Sequence, residues 1–177
     1  MTKQFFASIM VLAVAAMVVG VGVNADTEAG VSATVTPQNI SVSLNASSVN
    51  YGVLDLSASD ASRTVALSST FIATNGSNVP ADFVIRGTDT DNGWILNFSP
   101  ASAGIVGADQ FVHRFDADAT FTDGTAKALS TSNLDLGLAI PVGDTQDFVL
   151  QMNMPTSSGD ASSVQSSTVT ITATATN

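Results

Sequence analysis

Apolar and polar residues alternate with a period of two along most of this chain. The alternation is unbroken in Val31-Ser-Ala-Thr-Val-Thr36, after which Pro37 interrupts it. Because successive side chains of a β-strand point to opposite faces, this pattern predicts strands with one buried face. Further β-branched and aromatic runs are separated by turn sequences such as Asn-Gly, Asp-Gly and Gly-Asp. These runs are 40–44, 53–56, 64–74 (with a bulge at Ser68-Ser69), 83–85, 94–98, 111–115, 134–140, 148–154 and 169–175.

About nine or ten strands in one chain predict an all-β fold, a single antiparallel two-sheet sandwich of the jelly-roll or immunoglobulin-like kind. After residue 25, no long segment carries the apolar stripe of an amphipathic helix. No low-complexity linker divides the chain, and residues 157–167 are interpreted as a long loop before the last strand. We therefore expect one β-sandwich domain over residues 37–177.

Residues 1–25 have the layout of a cleavable signal peptide. Lys3 precedes an uncharged, mostly apolar run from Phe5 to Val23, and Val23-Asn24-Ala25 resembles a leader-peptidase site. The run is also just long enough to span a bilayer, so a retained membrane anchor is the alternative. Cleavage after Ala25 predicts an extracellular or cell-surface protein that has no membrane association of its own.

The composition of the exported part limits its partners. Of 177 residues, the 152 that follow residue 25 include all 15 acidic side chains and four basic ones, a net charge of −11. Such a surface repels nucleic acid and anionic lipid, so neither is expected as a partner. The chain has no cysteine, which excludes disulfides and thiolate sites. An exported domain of this kind must be stabilised by its core or by assembly with neighbours.

Closely spaced carboxylates provide the candidate metal site. Asp89 and Asp91, in the sequence Asp-Thr-Asp-Asn-Gly, are candidate calcium ligands because they supply hard oxygen atoms in a turn. An acidic hairpin turn explains the same residues, since the spacing does not fit an EF-hand loop. A second acidic group allows the same two explanations and consists of Asp116, Asp118 and Asp123. No cofactor other than calcium is expected.

Two other side chains were considered for binding or catalysis. Trp94 is a candidate platform for stacking on a sugar ring, although a tryptophan among apolar strand residues more often belongs to a core. His113, the single histidine, lies between Phe111 and Phe115 at a spacing of two, which predicts a hydrogen-bonded ring on a sheet face. No serine lies in a Gly-x-Ser-x-Gly sequence, and the acidic residues stand in turn contexts. We therefore predict no catalytic residues and no enzyme.

Part of the chain resembles a known family. Tyr51-Gly-Val-Leu-Asp-Leu-Ser, then Val65-Ala-Leu and Ile72-Ala-Thr-Asn-Gly-Ser-Asn-Val79, is similar to the first half of the TasA/camelysin family of biofilm-matrix fibre proteins. The similar part extends from about Tyr51 to Arg86. The resemblance implies a jelly-roll subunit that is secreted as a monomer and polymerises by donor-strand exchange, as in related archaeal bundling pili.

A second resemblance implies a different function. Gly93-Trp94-Ile95-Leu96 is similar to the first Trp-x-Leu motif of WxL cell-wall-binding domains. The second such motif is expected near the C-terminus, but residues 168–177 contain no tryptophan. This resemblance implies a monomeric surface module that binds cell-wall or matrix glycan.

We therefore predict a secreted structural subunit of an extracellular filament, with a second copy of itself as partner. Residues 26–36 are the candidate donor strand, with Val31, Ala33 and Val35 entering the acceptor groove of the next subunit. Residues 29–36 carry no charge, whereas edge strands of monomers usually carry charges or proline that prevent pairing. The alternative is an ordinary edge strand of the same domain, and the monomeric glycan-binding module is the alternative function.

Overall fold

The computed structural model describes residues 32–98, 104–160 and 162–176. They form an all-β fold, and the described part of the chain contains no helix that could cross a membrane. The predicted signal peptide, residues 1–25, lies outside the described residues. The strands are β1 (Val42–Leu44), β2 (Val65–Leu67), β3 (Phe71–Asn75), β4 (Ala81–Thr90), β5 (Ile95–Leu96), β6 (Gln110–Asp116), β7 (Lys127–Ala128), β8 (Leu134–Ile140), β9 (Thr145–Asn153) and β10 (Ser167–Ala175).

The chain divides into two units, Met1–Thr36 and Pro37–Asn177. The first unit is described only for residues 32–36, which are exposed and form no strand. All ten described strands belong to the second unit. Its first residues are held by Asn78, whose Nδ2 donates to the Pro37 carbonyl at 2.9 Å. The Asn78 Oδ1 in turn accepts a hydrogen bond from the Asn39 amide at 2.9 Å.

The strands form two sheets. The larger sheet has seven strands in the order β1-β3-β9-β6-β5, with β2 also paired to β9 and β7 to β6. The smaller sheet has the order β10-β4-β8. Pairing is antiparallel throughout except between β5 and β6, which run parallel. Parallel neighbours need a long crossover, and thirteen residues separate β5 from β6 along the chain.

The two sheets share one hydrophobic core, which is consistent with the predicted β-sandwich. In β4, buried and half-buried residues alternate from Ala81 to Ile85, as the period of two predicts. In β6, every residue from Phe111 to Asp116 is buried, so its outer face is covered as well as its inner face. Val112 on that face packs with Val106 and Ala128.

The run 64–74 forms two strands joined by a bulge, which confirms the bulge predicted at Ser68-Ser69. Leu67 lies opposite Gln151 and Phe71 opposite Phe148, so this strand has one residue more than β9 between the two pairs. The Ser68 amide donates to the Leu150 carbonyl at 2.8 Å. The Ser68 hydroxyl accepts a hydrogen bond from the Leu150 amide at 2.9 Å, in place of a backbone carbonyl.

A buried asparagine fastens the larger sheet to the smaller one. Asn75, at the end of β3, is 1% exposed, and its Nδ2 lies within 3.2 Å of the carbonyls of Val79, Ile140 and Pro141. Its Oδ1 accepts a hydrogen bond from the Ser77 amide at 2.9 Å. Because Ile140 ends β8, this one side chain links strands of both sheets.

Candidate functional site

A groove of about 800 Å³ opens at one side of the fold. One wall consists of the start of β10 and the residues before it, and the other consists of residues 44–56. Apolar and aromatic side chains with one histidine form its floor, namely Phe71, Trp94, His113, Phe148, Leu150, Met152 and Met154. The size of the groove, and a floor of apolar and aromatic side chains between more polar walls, are those of a site that binds a ligand or a peptide segment.

Strand β10 borders the groove with an unpaired edge. It pairs with β4 on one side, and no other strand in the described ranges pairs with it. Beyond its end, the Thr176 amide donates to the Pro80 carbonyl at 3.4 Å, in register with the β10–β4 ladder. Since peptide groups in a strand point alternately to either side, those of Val169 and Ile171 point to the open edge. The side chains of both residues pack against the core.

The open edge of β10 lacks the usual protection against pairing. Residues 161–177 contain neither a charged residue nor a proline. The opposite edge of the same sheet, β8, is interrupted by register shifts against β4 and by the positive φ of Ala139, +51°. Asp82 Oδ1 also accepts a hydrogen bond from the Ala139 amide at 2.7 Å. The larger sheet ends in the short strands β1 and β5, of three and two residues. Among these described edges, that of β10 is the one suited to pairing.

The other wall of the groove, residues 46–56, is called here the crossing segment. The strand predicted at 53–56 is not formed, and the segment contains no regular secondary structure. Leu54 and Leu56 pack against the core, whereas Val53 is fully exposed. The prediction was wrong because Leu54 and Leu56 pack over the sheet and the segment does not pair with a strand.

Tyr51 connects the crossing segment to the floor of the groove. Its hydroxyl lies 2.9 Å from Nε2 of His113, and the two rings pack edge to face with centroids 5.8 Å apart. Burial raises the pKa of the Tyr51 phenol and lowers the pKa of His113 to about 4, so both groups are neutral at pH 7. The predicted hydrogen-bonded histidine on a sheet face is confirmed. Its partner was missed, because the two residues are 62 positions apart and share no motif.

The candidate calcium ligands accept hydrogen bonds from backbone amides. Asp89 Oδ1 accepts a hydrogen bond from the Leu96 amide at 2.8 Å, and Asp91 Oδ1 accepts one from the Ser166 amide at 2.9 Å. The Asp91 amide donates to the Ser166 carbonyl at 2.9 Å. Within the described ranges, no three acidic or histidine side chains form a group that could hold a metal ion. Calcium binding by Asp89 and Asp91 stays a prediction.

The second acidic group shapes a loop. Asp116 Oδ2 accepts hydrogen bonds from the Thr122 amide and the Thr125 hydroxyl, each at 2.8 Å. Asp123 forms an ion pair of 2.6 Å with the buried guanidinium of Arg114. These contacts account for Asp116 and Asp123 as anchors of the loop that follows β6.

Trp94 lies in the floor of the groove. Its side chain is 6% exposed, and its Nε1 donates to the Ser158 hydroxyl at 2.8 Å. Its ring centroid is 6.5 Å from that of Phe111. The tryptophan therefore belongs to the core, and its stacking on a sugar stays a prediction.

The predicted donor residues are described in part. Val31 lies outside the described residues, while Ala33 and Val35 are exposed and in no strand. Val35 is 90% exposed. Residues 32–36 therefore form no edge strand of their own domain.

No family model, curated protein or solved structure matches this chain. The resemblances at Tyr51–Arg86 and Gly93–Leu96 therefore stay predictions.

Proposed function

We propose that this protein is a secreted structural subunit of an extracellular filament and that its subunits join by β-strand addition. In this proposal, residues 26–36 of one subunit are the donor segment, and its uncharged part, residues 29–36, lies along the open edge of β10 in the next. Main-chain hydrogen bonds to the outward peptide groups of β10 give affinity, and alternate side chains fix the register. The side chains that enter the groove are Val31, Ala33 and Val35.

The observation that supports the proposal most strongly is the open edge of β10 beside an apolar groove. Ser167–Ala175 is a nine-residue strand, longer than the described edge strands of the larger sheet. An unpaired edge of this length on a monomer is a template for pairing with another chain. A second strand laid along it would also cover the apolar floor of the groove.

The charge distribution supports the same pairing. The chain has a net charge of −10, yet residues 29–54 and 161–177 contain no charged side chain. These two segments include residues 29–36 of the proposed donor, most of the crossing segment and all of β10. The contacting surfaces are therefore free of the like-charge repulsion that the remaining surface of an acidic subunit would produce.

Secretion and fold type belong to the same proposal. The signal-peptide layout of residues 1–25 supports export of the mature chain, and in this proposal its N-terminal segment becomes the free end after cleavage. A sandwich of the jelly-roll or immunoglobulin-like type agrees with the two sheets and their shared core.

A matched pair of lysine variants tests the proposal in the mature chain, starting at Asp26. Ala33→Lys places an ammonium group in the groove, whereas Thr34→Lys places it on the opposite face of the same strand. An unpaired charge in an apolar groove costs several kcal/mol, on the order expected for buried ions. We expect filaments of wild type and of Thr34→Lys in electron micrographs, and monomers of Ala33→Lys.

Two outcomes would count against this assembly. If both lysine variants form filaments like wild type, the alternation of residues 31–36 has no role in assembly. If the mature wild-type chain stays monomeric at every concentration and ionic strength tried, the protein is not a filament subunit of this kind.

A monomeric glycan-binding module is the second candidate function. The wall of the groove before and at the start of β10 contains Ser162, Ser163, Ser166, Ser167 and Thr168, whose hydroxyl groups are suited to bonding with a sugar. Titration calorimetry of the monomer with soluble cell-wall fragments tests it. Binding with no filament formation would favour this second function.

A further inference from the structure

We infer that the crossing segment, residues 46–56, is a built-in cover of the groove that moves aside when a strand pairs with β10. The inference rests on the proposed function and concerns the regulation of the same site. The segment forms the wall that faces β10, and its leucines pack on the core that a donor strand would have to reach. A subunit covered in this way is protected from premature pairing.

Both ends of the crossing segment are fixed to the larger sheet. The Asn45 amide donates to the Ile72 carbonyl at 3.1 Å, and Asn45 Oδ1 accepts a hydrogen bond from the Ile72 amide at 2.9 Å. At the other end, the Ser57 amide donates to the Pro155 carbonyl at 2.8 Å, and the Ser57 hydroxyl donates to the Met154 carbonyl. Movement of the segment is therefore confined to the residues between Asn45 and Ser57.

Between these ends, the segment has few bonds to the rest of the molecule. In this described stretch, the peptide groups of residues 46–56 form no hydrogen bond with another backbone group. The Gly52 amide bonds locally to Asn50 Oδ1, and the Leu56 carbonyl accepts a hydrogen bond from the Thr64 hydroxyl at 3.3 Å. A segment of this kind opens at a low free energy, because no strand pairing is lost.

The contact between Tyr51 and His113 is the latch of the cover. Among the described residues, this contact of 2.9 Å is the one polar side-chain contact between the middle of the crossing segment and the sheet. The remaining attachment is apolar packing of Val49, Leu54 and Leu56. Removing the Tyr51 hydroxyl takes a hydrogen bond from the closed state and none from the open state. The closed state is therefore destabilised relative to the open state, which becomes more populated.

Thiol labelling measures this opening directly, because the chain has no cysteine of its own. Leu54→Cys places a single thiol on the covered face of the segment, and Val53→Cys places one on its exposed face. In the mature monomer we expect slow labelling at position 54 and fast labelling at position 53. Adding Tyr51→Phe should raise the rate at position 54 by about tenfold, the effect of one buried hydrogen bond, and leave the rate at position 53 unchanged.

Filaments provide the second measurement. If the cover moves aside, the thiol in filaments of Leu54→Cys loses the protection it has in the Leu54→Cys monomer. Tyr51→Phe subunits should also elongate filaments faster than wild type. Equal protection of position 54 in filaments and monomers, with unchanged elongation, would overturn the inference while leaving strand addition intact. An absence of filaments would instead count against the proposed function, and the labelling of monomers would still test the latch.

A second variant tests the inference if Tyr51→Phe does not fold. Val49→Ala loosens the apolar packing of the segment without touching the hydrogen bond. It should raise the labelling rate at position 54 and the elongation rate together. Circular dichroism and a cooperative urea transition verify that each variant is folded before labelling is compared. No acceleration in either folded variant would overturn the inference.

Discussion

The hydroxyl of Tyr51 lies 2.9 Å from Nε2 of His113, and this contact joins a segment without secondary structure to a central strand of the larger sheet. The pair is buried between aromatic and apolar groups of the groove floor, where an unpaired polar group would be costly. Its presence explains why the single histidine of the chain lies at an inward-facing strand position.

Burial of His113 predicts a pH-dependent stability. The pKa of His113 falls from 6.5 to about 4 on folding, so the unfolded chain takes up the proton first as the pH decreases. The contribution of His113 to the free energy of unfolding should therefore be constant above pH 6.5 and decrease between pH 6.5 and 4. The full loss is about 3 kcal/mol. Urea unfolding at pH 7 and 4.5 measures it.

The control for this prediction is His113→Gln, which does not titrate in this range. The carboxylates titrate in both proteins, so the difference between their two pH profiles isolates the histidine. Identical pH profiles for wild type and His113→Gln would show that His113 is not buried as a neutral group.

Asn75 should be a large contributor to stability. Asn75→Ala leaves the carbonyls of Val79, Ile140 and Pro141 without this donor, and we expect the free energy of unfolding to fall by about 2–4 kcal/mol. Asn133→Ala, at an exposed position before β8, is the matched control and should change it by less than about 0.5 kcal/mol. Urea denaturation compares the two. Equal effects would contradict the role assigned to Asn75.

The open edge of β10 can be blocked at a single peptide group. The Ile171 amide points away from β4, so Ile171→Pro removes a donor that only an added strand would use. We expect this variant to fold and to remain monomeric in electron micrographs. Ile171→Val keeps the amide, trims the side chain, and should still form filaments. Filaments of Ile171→Pro would show that β10 is not the acceptor edge.

Assembly should depend on ionic strength. A mature subunit with a net charge of −11 repels its neighbours, and salt screens that repulsion over about 10 Å at 0.1 M. We therefore expect faster filament growth as sodium chloride is raised from about 0.01 to 0.3 M, measured by light scattering. A rate that falls with salt would indicate that opposite charges, rather than apolar pairing, hold the subunits together.

Calcium binding by Asp89 and Asp91 has its own test. A cation bound only to the folded state raises the melting temperature by mass action. The melting temperature of the wild type should then increase with calcium at constant ionic strength, and that of Asp91→Asn should not. Asp91→Asn keeps an oxygen that accepts the Ser166 amide, so it serves as the matched variant. Equal melting temperatures with and without calcium would contradict calcium binding and leave an acidic turn as the explanation of these residues.

Alternating runs bounded by turn residues are sufficient to predict individual strands of this protein. The predicted run 134–140 coincides with β8, and the predicted run 83–85 lies within the longer strand β4, where Phe83 and Ile85 are buried. The bulge at Ser68-Ser69 was also predicted, because two serines interrupt the period of two. In β8 the strand is formed but its burial does not follow the alternation, since Leu138 is 63% exposed.

The groove and the partner of His113 depend on how distant segments pack together. The pattern around Leu54 and Leu56 predicted a strand, but these side chains pack over the sheet. Local alternation does not distinguish such packing from pairing with a strand. The contact between Tyr51 and His113 joins positions 62 residues apart, and the open edge of β10 is defined by which strand lies beside it. Pairing and packing between distant segments depend on the whole chain, and a local pattern does not contain that information.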